Sequence, residues 1–318
     1  MPMDMTKFPH QRRVWFSSSG ASRPFFYSCL QCTEKSKMPL LWKPDFSESV
    51  DGRPLATTVS DLFHNLPWDR VPFATRPWLA ILLQPSIVLA CALLYVVSDH
   101  PVSMLRDAMR LHPNSPRLRL FIAIHNFLLF VFSGTVAWNA WGLAVTHLFK
   151  YGMFDTYCDT RGTLWNEYGL GSWAIIFYLS KYWEFVDTWI LVLKRKAPSF
   201  LQVYHHFGIV LCLYGGVASQ SSWVTVVVLL NSVIHTVMYL YFFIKTVRPQ
   251  TEIKQAKYLT MAQILQFFTG IISTLGILIM GDQCDTESSR FSLACLNIYG
   301  FGLIYLFMTF AKRKYKTK

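Results

Sequence analysis

Residues 200–218 read FLQVYHHFGIVLCLYGGVA. The run has the apolar character and length of a helix crossing a bilayer, about 20 residues, yet it opens on Gln202, His205 and His206. At helical spacing these three share one face, so a carboxamide and two imidazoles line a common wall instead of facing hydrocarbon. Ionisable groups are costly at membrane depth, which makes the pair a candidate functional site.

The rest of the chain fits the same reading. It is 53% hydrophobic and 16% aromatic over 318 residues, a balance that excludes an ordinary soluble domain. Further apolar runs near 78–98, 118–146, 171–193, 222–247, 257–280 and 291–311 join 199–218 to predict about seven spanning helices in an all-α integral membrane protein. The connections are short, so residues 78–311 read as one seven-helix membrane domain, followed by a basic tail at 312–318. Residues 1–77 read as a mostly irregular extension rich in Pro and Ser, with a short helix near Ser60 to Leu66. Its Arg12, Arg13 and Arg23 give it a weak likeness to a transit peptide.

The basic residues fall into two unequal sets of loops. One set holds Arg106, Arg110, Arg117, Arg119, Lys194, Arg195, Lys196, Lys245, Arg248, Lys254, Lys257 and the tail Lys312, Arg313, Lys314, Lys316 and Lys318. The opposite set holds only Lys150, Arg161 and Arg290. The positive-inside rule then predicts a cytosolic C-terminus and a lumenal N-terminus. The net charge of +12 is therefore a property of one face, suited to anionic lipid or a phosphorylated ligand. No nucleic-acid partner is expected. Cys91, Cys212 and Cys295 sit inside spans as small apolar residues, and the Cys29, Cys32 pair lacks a second pair to complete a zinc site. Cys158 and Cys284 fall in non-cytosolic loops, where an oxidising lumen permits a disulfide between them.

Other spans repeat the polar striping. Lys181, Glu184, Asp187 and Thr188 form one stripe in the third span; Asn231, His235, Met238, Tyr239 and Tyr241 lie in the fifth; Thr260, Gln263 and Gln266 open the sixth; His125 and Asn126 lie in the second. Counting 1.5 Å per residue from the basic ends puts most of these groups about 9 to 18 Å deep, although their helices run in opposite directions. Any one Gln or Asn is adequately explained as interhelical glue, but two acids and three imidazoles at one level exceed what packing needs. The Tyr and Trp residues of the spans read mainly as core or interfacial filler. A neutral imidazole is both nucleophile and base near neutral pH, and a neighbouring carboxylate selects its tautomer. An acyl group passed to it survives only where water is excluded.

In chain order, Lys181-x-x-Glu184-x-x-Asp187-Thr188, Gln202-x-x-His205-His206, Asn231-x-x-His235-x-x-Met238-Tyr239-x-Tyr241 and Thr260-x-x-Gln263-x-x-Gln266 resemble the motifs of the very-long-chain fatty acid elongases, the 3-ketoacyl-CoA synthases of the endoplasmic reticulum. Asn126 fits the same pattern. The resemblance implies condensation of acyl-CoA with malonyl-CoA, releasing CO2 and CoA, with no cofactor beyond these co-substrates and no metal. It implies that helices 2 to 7 form a six-helix barrel around a narrow tunnel, with helix 1 outside. It assigns His205 as acyl-accepting nucleophile and His235 to proton handling or enolate stabilisation, with orienting or acid–base roles for His206, Glu184 and Asp187. Positioning or substrate contacts fall to Gln202, Asn126, Asn231, Gln263, Gln266, Lys181, Met238 and Tyr239, and CoA phosphates to Lys194, Arg195, Lys196, Lys245, Arg248, Lys254 and Lys257.

Gln202 stands where many members have His. Glutamine cannot titrate, so this position orients rather than reacts, and the QxxHH form resembles elongases of polyunsaturated chains from unicellular eukaryotes. The final Lys314-Tyr315-Lys316-Thr317-Lys318 resembles a KxKxx retrieval signal for the endoplasmic reticulum. Membrane lipid, other enzymes of an elongation cycle and a second copy of the chain are the remaining expected partners. Two rival readings stand beside this one. A di-iron desaturase or hydroxylase needs more imidazoles than the bundle holds; a lipid transporter or receptor explains buried polarity but not the ordered motifs.

Overall fold

The computed structural model describes residues 82–251 and 256–315, and every regular element among them is helical. The 1–77 extension, Lys254 and the last three residues of the tail lie outside the described residues.

Helix α1 (Pro85–Val97) is followed by α2 (Asp99–Ala108), bent by 55° from it. One continuous span ending near residue 98 was expected. Pro101 has no amide proton for the Val97 carbonyl, and the Ser98 hydroxyl donates to the Tyr95 carbonyl at 2.7 Å, so the helix turns at this point.

Helix α3 (Pro116–Cys158) starts with proline at its first turn, and the Ser115 hydroxyl accepts from the Leu118 amide. It runs past its expected end at 146 and breaks at Gly152, whose φ of 85° is open to glycine. A π turn (Thr163–Glu167) follows, anchored by Asp159, whose carboxylate accepts from the Leu164 and Trp165 amides at 2.9 and 2.8 Å.

Then come α4 (Leu170–Trp183), α5 (Phe185–Leu193), α6 (Phe200–Ala218), α7 (Trp223–Val247), α8 (Ala256–Met280) and α9 (Glu287–Tyr315). Among the described residues five helices, α3 and α6 to α9, are long and apolar enough to cross a membrane, and the bent α1–α2 pair makes six if it counts as one span. The region expected as the third span is instead α4 and α5, divided at Glu184. Along this stretch Asp187 donates its amide to the Glu184 carbonyl at 3.0 Å, a tighter turn than the α-helical ladder.

Neighbour relations run from α3 to α7, α8, α9, α6 and α4, then return to α3, while α1 packs on α6 and α2 on α5. Cys158 and Cys284 are joined by a disulfide that ties the end of α3 to the α8–α9 connection. At the opposite end Arg119 donates to the Thr246 and Val247 carbonyls at 2.9 and 2.7 Å, closing the C-terminus of α7.

The polarity is inverted relative to a soluble protein. Phe149 and Ile279 are 86% and 82% exposed, whereas Lys181 and Glu184 are each 1% exposed. Apolar surface outside and charge inside is the arrangement a lipid solvent selects.

Candidate active site

The break between α4 and α5 places a charged pair inside the bundle. Lys181 Nζ donates to Glu184 Oε1 at 2.7 Å and to Asn231 Oδ1 of α7 at 3.2 Å, and it lies 4.0 Å from the centroid of the Phe177 ring. Such a pair is weak evidence of net stabilisation, but removing one partner strands a charge at a cost of about 3–5 kcal/mol. Glu184 Oε1 also lies 3.4 Å from His235 Nδ1. The other carboxylate oxygen, Oε2, is enclosed without a partner among the described residues.

One turn further on, Asp187 is held from two helices. His125 of α3 approaches through Nε2 at 2.8 Å, and the Tyr239 hydroxyl of α7 donates at 2.7 Å. Thr188 then connects three elements. Its hydroxyl lies 2.7 Å from that of Tyr95 on α1 and accepts from the Gln202 amide nitrogen at 3.3 Å. The same nitrogen donates to His206 Nε2 at 2.9 Å, so Gln202 orients a histidine from one turn away on its own helix. Position 202 needs a donor reaching two acceptors here, which a carboxamide supplies without titrating.

His205 faces α9. Its Nδ1 lies 3.1 Å from the Tyr299 hydroxyl, which also donates to the His205 carbonyl at 2.8 Å. His205 is within electrostatic reach of His206, His235, Glu184 and Lys181, and His206 of Asp187 as well. The catalytic candidates from α5, α6, α7 and the α4–α5 break therefore occupy one neighbourhood. Both His206 Nδ1 and His235 Nδ1 are enclosed with no hydrogen-bond partner among the described residues. No group of three or more His, Cys, Asp or Glu side chains among the described residues is placed to hold a metal ion.

The remaining candidates sit around this centre. Asn126 donates to the Thr246 hydroxyl at 3.4 Å, toward the basic end of α7. Gln263 reaches the Met238 sulfur at 3.5 Å, and Gln266 is half-buried on α8.

The basic residues are dispersed rather than gathered. Arg195 pairs with Asp107 at 3.1 Å, and Lys245 donates to the Pro249 and Thr251 carbonyls at 3.2 and 2.9 Å. Lys196, Arg248 and Lys257 are exposed, and Lys194 is half-buried, where burial and then the Lys196 charge hold its ammonium below the ordinary lysine value.

Tyr95 and Tyr299 enter the network without having been marked as site residues, and so does His125, which was noted only as a polar group of the second span with no role assigned. Tyr95 and Tyr299 were covered by the reading of span tyrosines as filler, although both are buried and place their hydroxyls on site residues. A signal for Tyr299 was present. Tyr204 and Gly208 on α6, and Tyr299 and Gly302 on α9, set a large ring beside a notch on each of two adjacent helices.

Residues 80–318 match the family described as ELO: GNS1/SUR4 family. Fatty acid elongase sre1 of Dictyostelium discoideum is 34% identical over 206 residues, covering 63% of this chain and 74% of its own. Long chain fatty acid elongase 2 of Caenorhabditis elegans is 29% identical over 195 residues, covering 61% and 71%. Fatty acid elongase 2 of Trypanosoma cruzi is 32% identical over 167 residues, covering 51% and 58%.

Proposed function

The chain belongs to the ELO family of fatty acid elongases, and from that premise we propose that it carries out the condensing step of elongation. In this reading a nitrogen of His205 attacks the acyl-CoA thioester, the carbon–sulfur bond breaks, and CoA leaves with a proton. Malonyl-CoA then loses CO2, and the resulting enolate carbon attacks the acyl-imidazole. The carbon–nitrogen bond breaks, the leaving imidazolate takes one proton from solvent through His235 to replace the one His205 gave to CoA, and a 3-ketoacyl-CoA two carbons longer departs. His235, backed by Glu184, handles protons or steadies the enolate, while His206, Asp187 and Gln202 orient the pair. Acyl-CoA and malonyl-CoA are the only co-substrates, and no metal or further cofactor takes part.

The observation that supports this most is the enclosed, unfilled hydrogen-bonding capacity of Glu184 Oε2 and His206 Nδ1 beside His205, with His235 Nδ1 held only by Glu184 Oε1 at 3.4 Å. Buried polar atoms are normally paired, and those that are not are where a ligand's own atoms make up the difference. An apolar surround that excludes water would protect an acyl-imidazole from hydrolysis. The neighbour order of α3, α7, α8, α9, α6 and α4 suits a six-helix barrel with a narrow tunnel for the acyl chain.

CoA would enter at the basic end, taken here as cytosolic, with the disulfide end in the lumen of the endoplasmic reticulum. The Gln202 box favours polyunsaturated acyl chains, which a panel of acyl-CoA substrates would rank. Membrane lipid surrounds the bundle; other elongation-cycle enzymes and a second copy of the chain are its proposed protein partners.

The test is incorporation of labelled malonyl-CoA by purified protein. His205→Ala should abolish it while the thermal unfolding midpoint stays near that of the parent. Parental turnover in that variant would refute the nucleophile assignment, and no product with any acyl-CoA would favour a lipid transporter or receptor.

A further inference from the structure

We propose that Tyr299 is a positioning residue that holds His205 in its Nδ1–H tautomer, leaving the lone pair on Nε2 for the acyl group. The proposal rests on His205 being the acyl acceptor, and it concerns a residue outside every motif that carries that assignment.

The Tyr299 hydroxyl oxygen lies 2.8 Å from the His205 carbonyl oxygen and 3.1 Å from His205 Nδ1. A carbonyl can only accept. Two oxygens at that separation without a proton between them would set lone pairs against lone pairs, so the single phenolic proton belongs to the carbonyl contact. Toward Nδ1 the hydroxyl is then left as an acceptor, and Nδ1 must supply the proton. In a neutral imidazole the lone pair is consequently on Nε2, which no hydrogen bond among the described residues engages. A nucleophile of this kind needs its lone pair free of competing donors.

The ring of Tyr299 has little freedom to lose this register. It packs in an apolar cluster with Ile209 and Leu303, bordered by Phe267 and Phe307. A Cβ at Gly208 would collide with the Tyr299 ring, and a Cβ at Gly302 would collide with the Tyr204 hydroxyl. Each helix thus offers a tyrosine to the other's glycine notch, and the two rings stack with centroids 5.2 Å apart. The Tyr204 hydroxyl donates to the Tyr299 carbonyl at 3.3 Å, which pins α9 without touching His205. This supplies a matched control: one stacked tyrosine whose hydroxyl reaches the histidine, and one whose hydroxyl does not.

The experiment uses the full chain in detergent or nanodiscs with 15N-labelled histidine. Two-bond proton–nitrogen spectra report the tautomer of each ring, and His205 is assigned by the signals lost in His205→Ala. The parent protein should show His205 protonated at Nδ1. Tyr299→Phe keeps the ring in its notch but should shift His205 toward the Nε2–H form. It should also slow CoA release from acyl-CoA, measured without malonyl-CoA, by about 10- to 100-fold. Tyr204→Phe should leave both readouts at parental values.

Parental His205 protonated at Nε2, or Tyr299→Phe with an unchanged tautomer, would overturn the proposal. So would Tyr299→Phe releasing CoA within about twofold of the parent rate. Failure of the underlying assignment looks different: His205→Ala would then release CoA normally, whatever the tautomer spectra show.

Discussion

Two groups of buried histidines in this protein have opposite hydrogen-bonding accounts. His147, near the disulfide end of α3, is 0% exposed, and its Nδ1 and Nε2 each lie 2.8 Å from a threonine hydroxyl, Thr156 and Thr163 respectively. It ties α3 to the turn beyond Gly152 and to the π turn, with nothing left to offer a ligand. His206 and His235 are almost as buried, at 4% and 6%, but His206 Nδ1 has no hydrogen-bond partner among the described residues and His235 Nδ1 has only Glu184 Oε1, at 3.4 Å. Burial does not separate a working histidine from a structural one. Unfilled hydrogen-bonding capacity next to a carboxylate is the difference on which the proposed roles rest.

The strongest way to break that comparison is to exchange the outcomes of two alanine substitutions. His235→Ala should lower incorporation of labelled malonyl-CoA by about 10²- to 10⁴-fold, the usual span for a lost acid–base group, with the thermal midpoint nearly unchanged. His147→Ala should do the reverse: it removes the two imidazole contacts that tie Thr156 to Thr163, whose hydroxyls then keep only the Gly152 carbonyl and the Asp159 carboxylate, costs about 1–3 kcal/mol of stability, and preserves turnover per folded molecule. Loss of turnover without loss of stability in His147→Ala would void the distinction drawn between the two groups.

The Lys181–Glu184 pair sharpens the same point because it combines a filled bond with an unfilled one. Lys181→Met should destabilise the protein by about 3–5 kcal/mol in thermal unfolding, since Glu184 is left in a closed interior without its cation. The double variant Lys181→Met, Glu184→Leu should recover most of that stability and remain inactive. A double variant as unstable as the single one would show that packing, not stranded charge, sets the cost.

Much of this was legible in the sequence. The runs at 199–218, 222–247 and 257–280 agree with α6, α7 and α8 to within a residue or so, because an uninterrupted apolar stretch leaves little choice of boundary. The convergence of Lys181, Gln202, His206 and His235 followed from helical spacing and depth. The breaks did not. A hydropathy average passes smoothly over Ser98, Pro101, Glu184 and Gly152, where single hydrogen bonds and one positive φ redirect the chain. Tyr95 and Tyr299 were missed for a related reason: a tyrosine in a span looks the same in sequence whether its hydroxyl meets an interface or a histidine.

A milder effect is expected at Gln202. Its amide links Thr188 to His206, so Gln202→Ala removes neutral hydrogen bonds worth about 0.5–1.5 kcal/mol each, or roughly 2- to 10-fold in turnover. Complete loss of activity would contradict an orienting role and move Gln202 among the reacting groups.

The smallest effects belong to the basic end, where the division between filled and unfilled groups applies to cations. Arg119 is spent on the Thr246 and Val247 carbonyls and Lys245 on those of Pro249 and Thr251, whereas Lys196 and Arg248 are exposed, and their side chains make no hydrogen bond or ion pair to another described residue. Only the second pair has all its side-chain donors uncommitted, which the proposed function would turn to CoA phosphates. Each of Lys196→Ala and Arg248→Ala should raise KM for acyl-CoA by about 2- to 5-fold at low ionic strength, with kcat unchanged. The effect should fade as added salt shortens the reach of an exposed charge. Arg119→Ala should leave KM alone and lower the thermal midpoint slightly, since about 0.3–1 kcal/mol is typical for a cation at a helix C-terminus. If Arg119→Ala raises KM as much as the exposed pair does, the charge of this face acts as a whole, and contact geometry at the basic end carries no information about where CoA lands.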